Sequence, residues 1–312
     1  MFRVRDGIAV ALLTRRFEQR LSGGALSSAL AGRAMLQNLP SIVAARALAP
    51  PPGSRVLDMC ASPGGKTSAL AALMGNVGEL VALDVNATKV GHLRALCAEM
   101  GATCVTCHRL DATRAVIGPA AAPHAGTIRD AGDCGVAKGA AKVAERRTRK
   151  MAGARSRGQP LPETPVAEPA GAPFPGESFD AILLDAPCSA LGLRPRLSQP
   201  VTARELQRAA SYQRSLLHVA AALLRPGGAL VFSTCSISPL ENEANVGWAL
   251  AAFPQLRLAP CEPQLGGPGL TGAADGSVEW LTAEQAAMVQ RFDPAGPADT
   301  IGFFVARFVK AG

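Results

Sequence analysis

The chain predicts an α/β fold built on a doubly wound, mostly parallel sheet. From Arg55 onward, short apolar runs alternate with stretches of helical length, which is the βαβ pattern. The first run, Val56-Leu57-Asp58-Met59, is followed by a tight turn at Pro63-Gly64-Gly65 that opens a helix. Acidic residues, Asp84 and Asp111, stand at or just beyond the ends of the second and third runs, at the sheet edge where open α/β folds bind ligands.

The elements follow in order. Met1 to Leu13 alternates in part like a strand, and Ala25 to Leu48 is Ala/Leu-rich and reads as helix interrupted at Pro40. Pro50-Pro51-Pro52-Gly53 separates an N-terminal segment, residues 1–50, from a main domain, residues 51–312. In that domain Val56–Met59 is strand, Lys66–Met74 helix, Leu80–Val85 strand, Ala87–Met100 helix and Cys104–Cys107 a short third strand. Residues 119–177 show no regular pattern, and a stretch of that length reads as a disordered insertion between the third and fourth strands. The sheet resumes at Phe179 with a strand running to Cys188. A helix from Arg204 to Leu224 is stopped by Arg225-Pro226-Gly227-Gly228, and a strand to Cys235 follows. A helix from Asn242 to Phe253 comes next, and Ile301–Val309 supplies a last, antiparallel strand.

Composition narrows the function. With 48% hydrophobic residues in 312, the chain can bury a sizeable core, and no apolar run reaches the roughly 18 residues of a membrane span. A charged start and a short apolar stretch at Ile8–Leu13 do not make a secretory signal, so the reading is a cytoplasmic protein whose eight cysteines are reduced thiols. The net charge of +8 is concentrated in residues 138–157, where eight basic residues face only Glu145. Such a cluster either attracts phosphates in a salt-dependent way or keeps a solvated loop soluble.

The turn Asp58-Met59-Cys60-Ala61-Ser62-Pro63-Gly64-Gly65-Lys66-Thr67 ends like a P-loop. That motif, however, needs a glycine where Cys60 stands, and Pro63 removes a backbone donor. A nucleoside-binding turn of a Rossmann-like domain fits better. It calls for an acid after strand two to hold a ribose and a polar group after strand three for a base, and Asp84 and Asp111 answer both. Either acid alone could equally be a helix N-cap. Cys104-Val105-Thr106-Cys107-His108 matches a haem-attachment pattern and offers metal donors. No second pair stands at zinc-site spacing and nothing points to export, so it reads as a structural strand with no metal.

Cys188 and Cys235 are the most informative residues. Each sits just past a buried strand, and a single helix separates the strands, so the strands can be parallel neighbours with both thiols at one sheet edge. Asp185 precedes Cys188 by three residues with Pro187 between them, and Ser233-Thr234-Cys235-Ser236 ends its strand in small polar residues suited to a pocket. Buried cysteines are usually inert, which remains the reading for Cys60, Cys97 and Cys261. A redox pair is the rival to covalent chemistry on a substrate that must also be released.

These residues resemble the Sun-domain (NSUN) family of RNA cytosine-5 methyltransferases. The matching pieces are Asp58 to Thr67, Asp84, Asp111, Asp185-Ala186-Pro187-Cys188-Ser189 and Ser233-Thr234-Cys235-Ser236. Leu36 to Ser41, Glu262 to Gly267, Gln290 to Pro294 and Ile301 to Phe304 extend the likeness, whose tail is most similar to the sixth human paralogue, active on the tRNA acceptor end and on some mRNA sites. Ser62 stands where the family has alanine, and Ala190 where it has glycine. The paralogue's RNA-binding PUA domain is expected to be absent or reduced to its last strand around Arg5 to Leu13.

The resemblance implies a Rossmann-like class I methyltransferase fold, S-adenosylmethionine as cofactor and an RNA substrate, tRNA first and mRNA second. It implies Cys235 as the nucleophile, Cys188 as the base in release, Asp185 on the cytosine edge and Lys66 beside the base or the cofactor. The cofactor would be held by Cys60, Ala61, Ser62, Pro63, Gly64, Gly65, Lys66 and Asp185, with Asp84 on the ribose, Asp111 on the adenine and Lys89 nearby. Alternatives from other classes are an inactive RNA-binding scaffold of the same fold, a P-loop nucleotide hydrolase, and a DNA methyltransferase in which Cys188 would attack.

Overall fold

The computed structural model describes residues 9–12, 34–117, 173–193, 200–296 and 298–312. The basic cluster at 138–157 and most of the expected insertion lie outside the described residues.

Ala9–Leu12 (β1) pairs in parallel with Ala34–Gln37 (β2), so part of the stretch expected to be helical is strand. Helix α1, Leu39–Leu48, begins only there, with Pro40 in its first turn. Pro40 therefore starts the helix and does not interrupt it, since the missing N–H would have had no intrahelical partner. The main sheet comprises β3 (Arg55–Asp58), β4 (Glu79–Asp84), β5 (Val105–Arg109), β6 (Phe179–Asp185), β7 (Leu224–Thr234), β8 (Leu256–Ala259), β9 (Gln290–Phe292) and β10 (Phe303–Lys310). Its order is β5-β4-β3-β6-β7-β10-β8, with β9 also on β10. β3 to β7 are mutually parallel, and β10 runs antiparallel to β7, β8 and β9.

Helices α2 (Gly65–Leu73), α3 (Ala87–Glu99), α4 (Ala203–Leu223), α5 (Glu243–Ala252) and the short α6 (Ala283–Met288) connect these strands. Successive strand residues point to opposite faces, and each face is buried. Leu57, Ile182, Leu230, Phe232 and Phe304 pack with α4 and α5. Val56, Ala181, Leu183, Val231 and Val305 pack with α1, α2 and α3 on the other side. The near-continuous apolar runs in the sequence are the consequence of this two-sided covering.

Two features depart from the sequence reading. Arg225–Gly228 was expected to lie between elements, yet it is part of β7. The register passes from Phe179↔Leu224 to Ala181↔Ala229, so four residues bulge opposite Asp180. Strands β8 and β9 were not anticipated, being four and three residues long. Both complete the far edge of β10.

The start of α4 carries a capping box that the sequence reading did not single out. Thr202 Oγ1 accepts from the Glu205 backbone N–H at 3.2 Å while Glu205 Oε2 accepts from Thr202 N at 2.7 Å. No helix among the described residues is long and apolar enough to cross a membrane.

β10 joins two parts of the sheet, and Phe304 lies on it with 0% exposure, edge-on to Phe232 at a centroid separation of 6.4 Å. Phe304→Ala is expected to lower the unfolding free energy by about 3–5 kcal/mol, measured by urea titration, without abolishing the folded baseline at zero denaturant.

Candidate active site

The chain order of the sheet reverses between β3 and β6, because β3, β4 and β5 run outward one way and β6 begins the other. The carboxyl edge at that switch point is where an α/β sheet opens a crevice. The turn after β3 and the ends of β4, β6 and β7 all meet there.

The glycine turn is built by close approach. Gly64 caps α2 at φ 107°, a conformation that favours glycine, and a Cβ there would fall 2.8 Å from Leu93 Cδ1. A Cβ on Gly65 would sit 3.2 Å from Met35 Cε and 3.3 Å from Gln37 Nε2, so the segment leading into α1 lies over the turn. Ala61 is buried, its N–H donating to Leu83 O at 2.9 Å, while Pro63 is exposed.

Within the turn, Asp58 is 1% exposed. Thr67 Oγ1 donates to its Oδ2 at 2.8 Å, but Asp58 Oδ1 and Ser62 Oγ are buried with no hydrogen-bond partner among the described residues. Burial, the largest cause, raises the Asp58 carboxyl to about 7, aided by the charge of Asp185 and opposed by Thr67 and Lys66. Cys60 is also pushed well up, by burial first and then by Asp58, Asp84 and Asp185. Three carboxylates thus act on one thiol, a setting that disfavours its thiolate.

Asp84 and Asp111 stand where the sequence placed them, and each also serves the local backbone. Asp84 Oδ1 accepts from Asn86 N at 2.9 Å. Asp111 caps the short 3-10 turn Ala112–Arg114, accepting from Thr113 N at 3.0 Å and from Thr113 Oγ1 at 2.7 Å. Lys89 lies exposed in the first turn of α3, close enough for its charge to act on Cys60. Tyr212 on α4 had not been singled out. Burial raises its hydroxyl pKa, and Cys60, Asp111 and Asp84 raise it further, so it shares their neighbourhood. Its position on an ordinary amphipathic helix gave no signal.

The second half of the site is made by β6 and β7. Asp185 and Ser233 are register partners. Ser233 Oγ donates to Asp185 Oδ1 at 2.7 Å, and Lys66 Nζ reaches Asp185 Oδ2 at 2.7 Å, so both carboxylate oxygens are engaged. Lys66 also lies over the Phe303 ring at 5.2 Å. Three residues beyond Asp185, Cys188 Sγ is 3.3 Å from Cys235 Sγ, and both are free thiols. Cys188 is pushed well above the usual thiol range, first by its hydrogen bond with Cys235, then by burial and the charges of Cys235 and Glu241.

The loops carrying the two cysteines are strapped together. Gly192 N donates to Cys235 O at 3.0 Å, and Gly302 N to Gly192 O at 2.8 Å. A Cβ on Gly192 would come within 2.0 Å of Gly302 O, so only glycine fits that contact. Ala190, in the same loop, holds a left-handed φ of 58° where the resembling family has glycine.

The Cys104-x-x-Cys107-His108 run lies on the third strand, but β5 starts one residue later than expected, at Val105, and runs on to Arg109, with Cys107 hydrogen-bonded to Cys97 on α3. No group of three or more metal-ligating side chains occurs among the described residues.

Asp58 makes stability depend on pH. Its folded value near 7 lies above the ordinary 3.8, so between those limits the folded state keeps a proton that the unfolded state has lost. Stability is therefore relatively highest below the lower value, declines as pH rises, and levels off above the upper one. Asp58→Asn, which can still accept from Thr67, is expected to remove this decline. Urea titrations of variant and wild type should show the variant gaining on wild type from pH 4 to pH 7 by on the order of a few kcal/mol.

Comparison with known proteins agrees with this geometry. The family model described as 16S rRNA methyltransferase RsmB/F matches residues 45–120 and 145–309. The chain is 42% identical over 99% of its length to an Arabidopsis thaliana protein named rRNA (cytosine-C(5))-methyltransferase NOP2C, covering 58% of that protein. It is 40% identical over 88% of its length to the Mus musculus tRNA (cytosine(72)-C(5))-methyltransferase NSUN6, covering 52% of it. It thus spans little more than half of these curated relatives. The crystal structure of NSun6 from Pyrococcus horikoshii with SFG superposes with a TM-score of 0.65 at 28% identity, over 93% of this chain and 56% of that one. With its doubly wound sheet and two strand-end cysteines, the chain belongs to the RsmB/F family of RNA cytosine-5 methyltransferases, close to NSUN6, and has their Rossmann-like class I fold.

Proposed function

We propose that the protein methylates carbon 5 of a cytosine in RNA, tRNA first and mRNA second, through a covalent adduct formed by Cys235 and released with the help of Cys188. The observation that carries this reading is the pair of free thiols 3.3 Å apart beside an Asp185 held by Lys66 and Ser233. Carbon 5 of cytosine is too weak a nucleophile to take a methyl group unaided. Addition of the Cys235 thiolate at carbon 6 pushes electrons to carbon 5 and makes it enamine-like. Asp185, fixed on both oxygens, would bind the base edge and stabilise the charge that develops there. After methylation the carbon 5 proton passes to Cys188, the ring double bond re-forms, and the sulfur–carbon 6 bond breaks. The base must be unstacked to reach the thiols.

S-adenosylmethionine fits the other half of the site. The unpartnered Asp58 Oδ1 and Ser62 Oγ offer acceptors in the glycine turn, and three carboxylates suit a ligand carrying positive charge. Cys60, Ala61, Ser62, Pro63, Gly64, Gly65 and Lys66 would line its amino-acid end with Asp185. Asp84 would hold the ribose, Asp111 the adenine, and Lys89 would stand near it. Bound there, the cofactor supplies the methyl group from its sulfonium.

The test uses wild type, Cys188→Ala and Cys235→Ala with S-adenosylmethionine and unmodified tRNA, mRNA and rRNA transcripts. Cys188→Ala should accumulate a denaturation-resistant protein–RNA adduct, Cys235→Ala should form none, and wild type should leave 5-methylcytosine in tRNA. The reverse adduct pattern would exchange the roles of the cysteines. Methylation confined to rRNA, the substrate in the name of the Arabidopsis relative, would move the target.

A further inference from the structure

Glu241, Asn242 and Glu243 have no part in the chemistry above, yet all three are 0% exposed. Each is bound to a different piece of the site. Glu243 receives both hydrogen bonds of Arg291 Nη1, at 2.7 and 2.8 Å, which ties it to β9. Asn242 accepts from Thr234 Oγ1 at 2.5 Å and donates to Ser236 O at 3.0 Å, bracketing Cys235. Glu241 does more.

The Glu241 carboxylate gathers four neutral donors. Oε1 accepts from Ser189 N at 2.8 Å and Gln213 Nε2 at 3.2 Å. Oε2 accepts from Ser236 Oγ at 2.5 Å and from Ser189 Oγ. Ser189 follows Cys188, and Ser236 follows Cys235. Gln213 adds a third tie, since the same Nε2 donates at 2.9 Å to Pro187 O, the residue before Cys188. Burying a carboxylate among neutral groups is costly unless its lone pairs are filled, and here four donors fill them.

We propose that Glu241 is a positioning residue for the two-cysteine reaction: by fixing the residue that follows each thiol, it sets the sulfur–sulfur separation and keeps the releasing group beside the attacking one. This rests on the roles given above to Cys235 and Cys188. The four donors divide in a way that makes the inference testable. Those at Oε1 are N–H groups that can only donate, whereas those at Oε2 are hydroxyls that can turn and accept. Glutamine therefore fits with its carbonyl at Oε1 and its amide at Oε2. It keeps the ties and drops the charge, while alanine severs the ties.

The experiment measures kcat, KM for RNA and adduct yield across pH for wild type, Glu241→Ala and Glu241→Gln, using the transcript that wild type methylates. Glu241→Ala should lose about 10²-fold in kcat, the cost of misplacing reacting groups by about 1 Å, with KM nearly unchanged. Glu241→Gln should recover most of that rate, and its pH–rate profile should move to lower pH because a negative charge near Cys188 is gone. Should Glu241→Ala not fold, Ser189→Ala, Ser236→Ala and the double variant cut the ties singly. Each should lower kcat and not raise KM, with non-additive losses in the double variant. The inference is overturned if Glu241→Ala, or the double serine variant in its place, keeps kcat within about threefold of wild type. It is also overturned if glutamine is as damaging as alanine with an unmoved pH profile. A wild type that forms neither 5-methylcytosine nor adduct overturns the functional reading and this inference together. An active wild type with an equally active Glu241→Ala overturns this inference alone.

Discussion

The parallel pairing of β6 with β7 is the constraint on which the site rests. Register partners Asp185 and Ser233 bring the two strands to the sheet edge in step, and the chains leaving them carry Cys188 and Cys235 to a separation of 3.3 Å. A slip of one residue would turn every side chain of β7 to the other face. Phe232 would leave the core it shares with Leu57 and Phe304, and Ser233 would leave Asp185. The apolar alternation that folds the sheet is therefore also what aligns the thiols. The bulge at Arg225–Gly228 absorbs the mismatch at the start of β7, so the end carrying the chemistry stays regular.

Charge distinguishes the cysteines at this edge. Cys60 lies among Asp58, Asp84 and Asp185 and is held protonated by burial and by those charges. The same carboxylates favour a cationic ligand in that half of the crevice. Lys66, paired with Asp185 at 2.7 Å, stands between the two halves and keeps one of the three acids aimed at β7. A carboxylate grouping that would destabilise a closed core is thus placed where a positively charged ligand can offset it.

Much of this was legible in the sequence because strands covered on both faces must be apolar throughout, and polar residues then stand out at their ends. Asp84, Asp185, Cys188 and Cys235 were visible for that reason. Glu241-Asn242-Glu243 was not, since three polar residues at the start of a helix look like solvated capping groups, and only the tertiary fold shows them at 0% exposure. β8 and β9, at four and three residues, carry too little alternation to be told from loop; their pairing with β10 is a long-range fact. Pro40 misled because a proline ends a helix only from its interior, and here it begins one.

On the proposed reading, the closeness of the two sulfurs also orders the steps. Two thiols 3.3 Å apart cannot both ionise readily, so the first proton lost belongs to the pair. On that reading the retained proton belongs to Cys188, whose thiolate is disfavoured by its hydrogen bond with Cys235, by burial and by the charges of Cys235 and Glu241. This agrees with the proposed role of Cys235 as the sulfur that attacks. Once its sulfur is bonded to carbon 6 it is no longer an anion, and the largest cause holding the proton on Cys188 disappears. Cys188 can then give that proton to water and, as a thiolate, act as the base when the carbon 5 proton has to leave. Attack by one cysteine creates the electrostatic condition for release by the other, which is why the pair has to be held close and why a buried carboxylate tied to both loops matters to the chemistry.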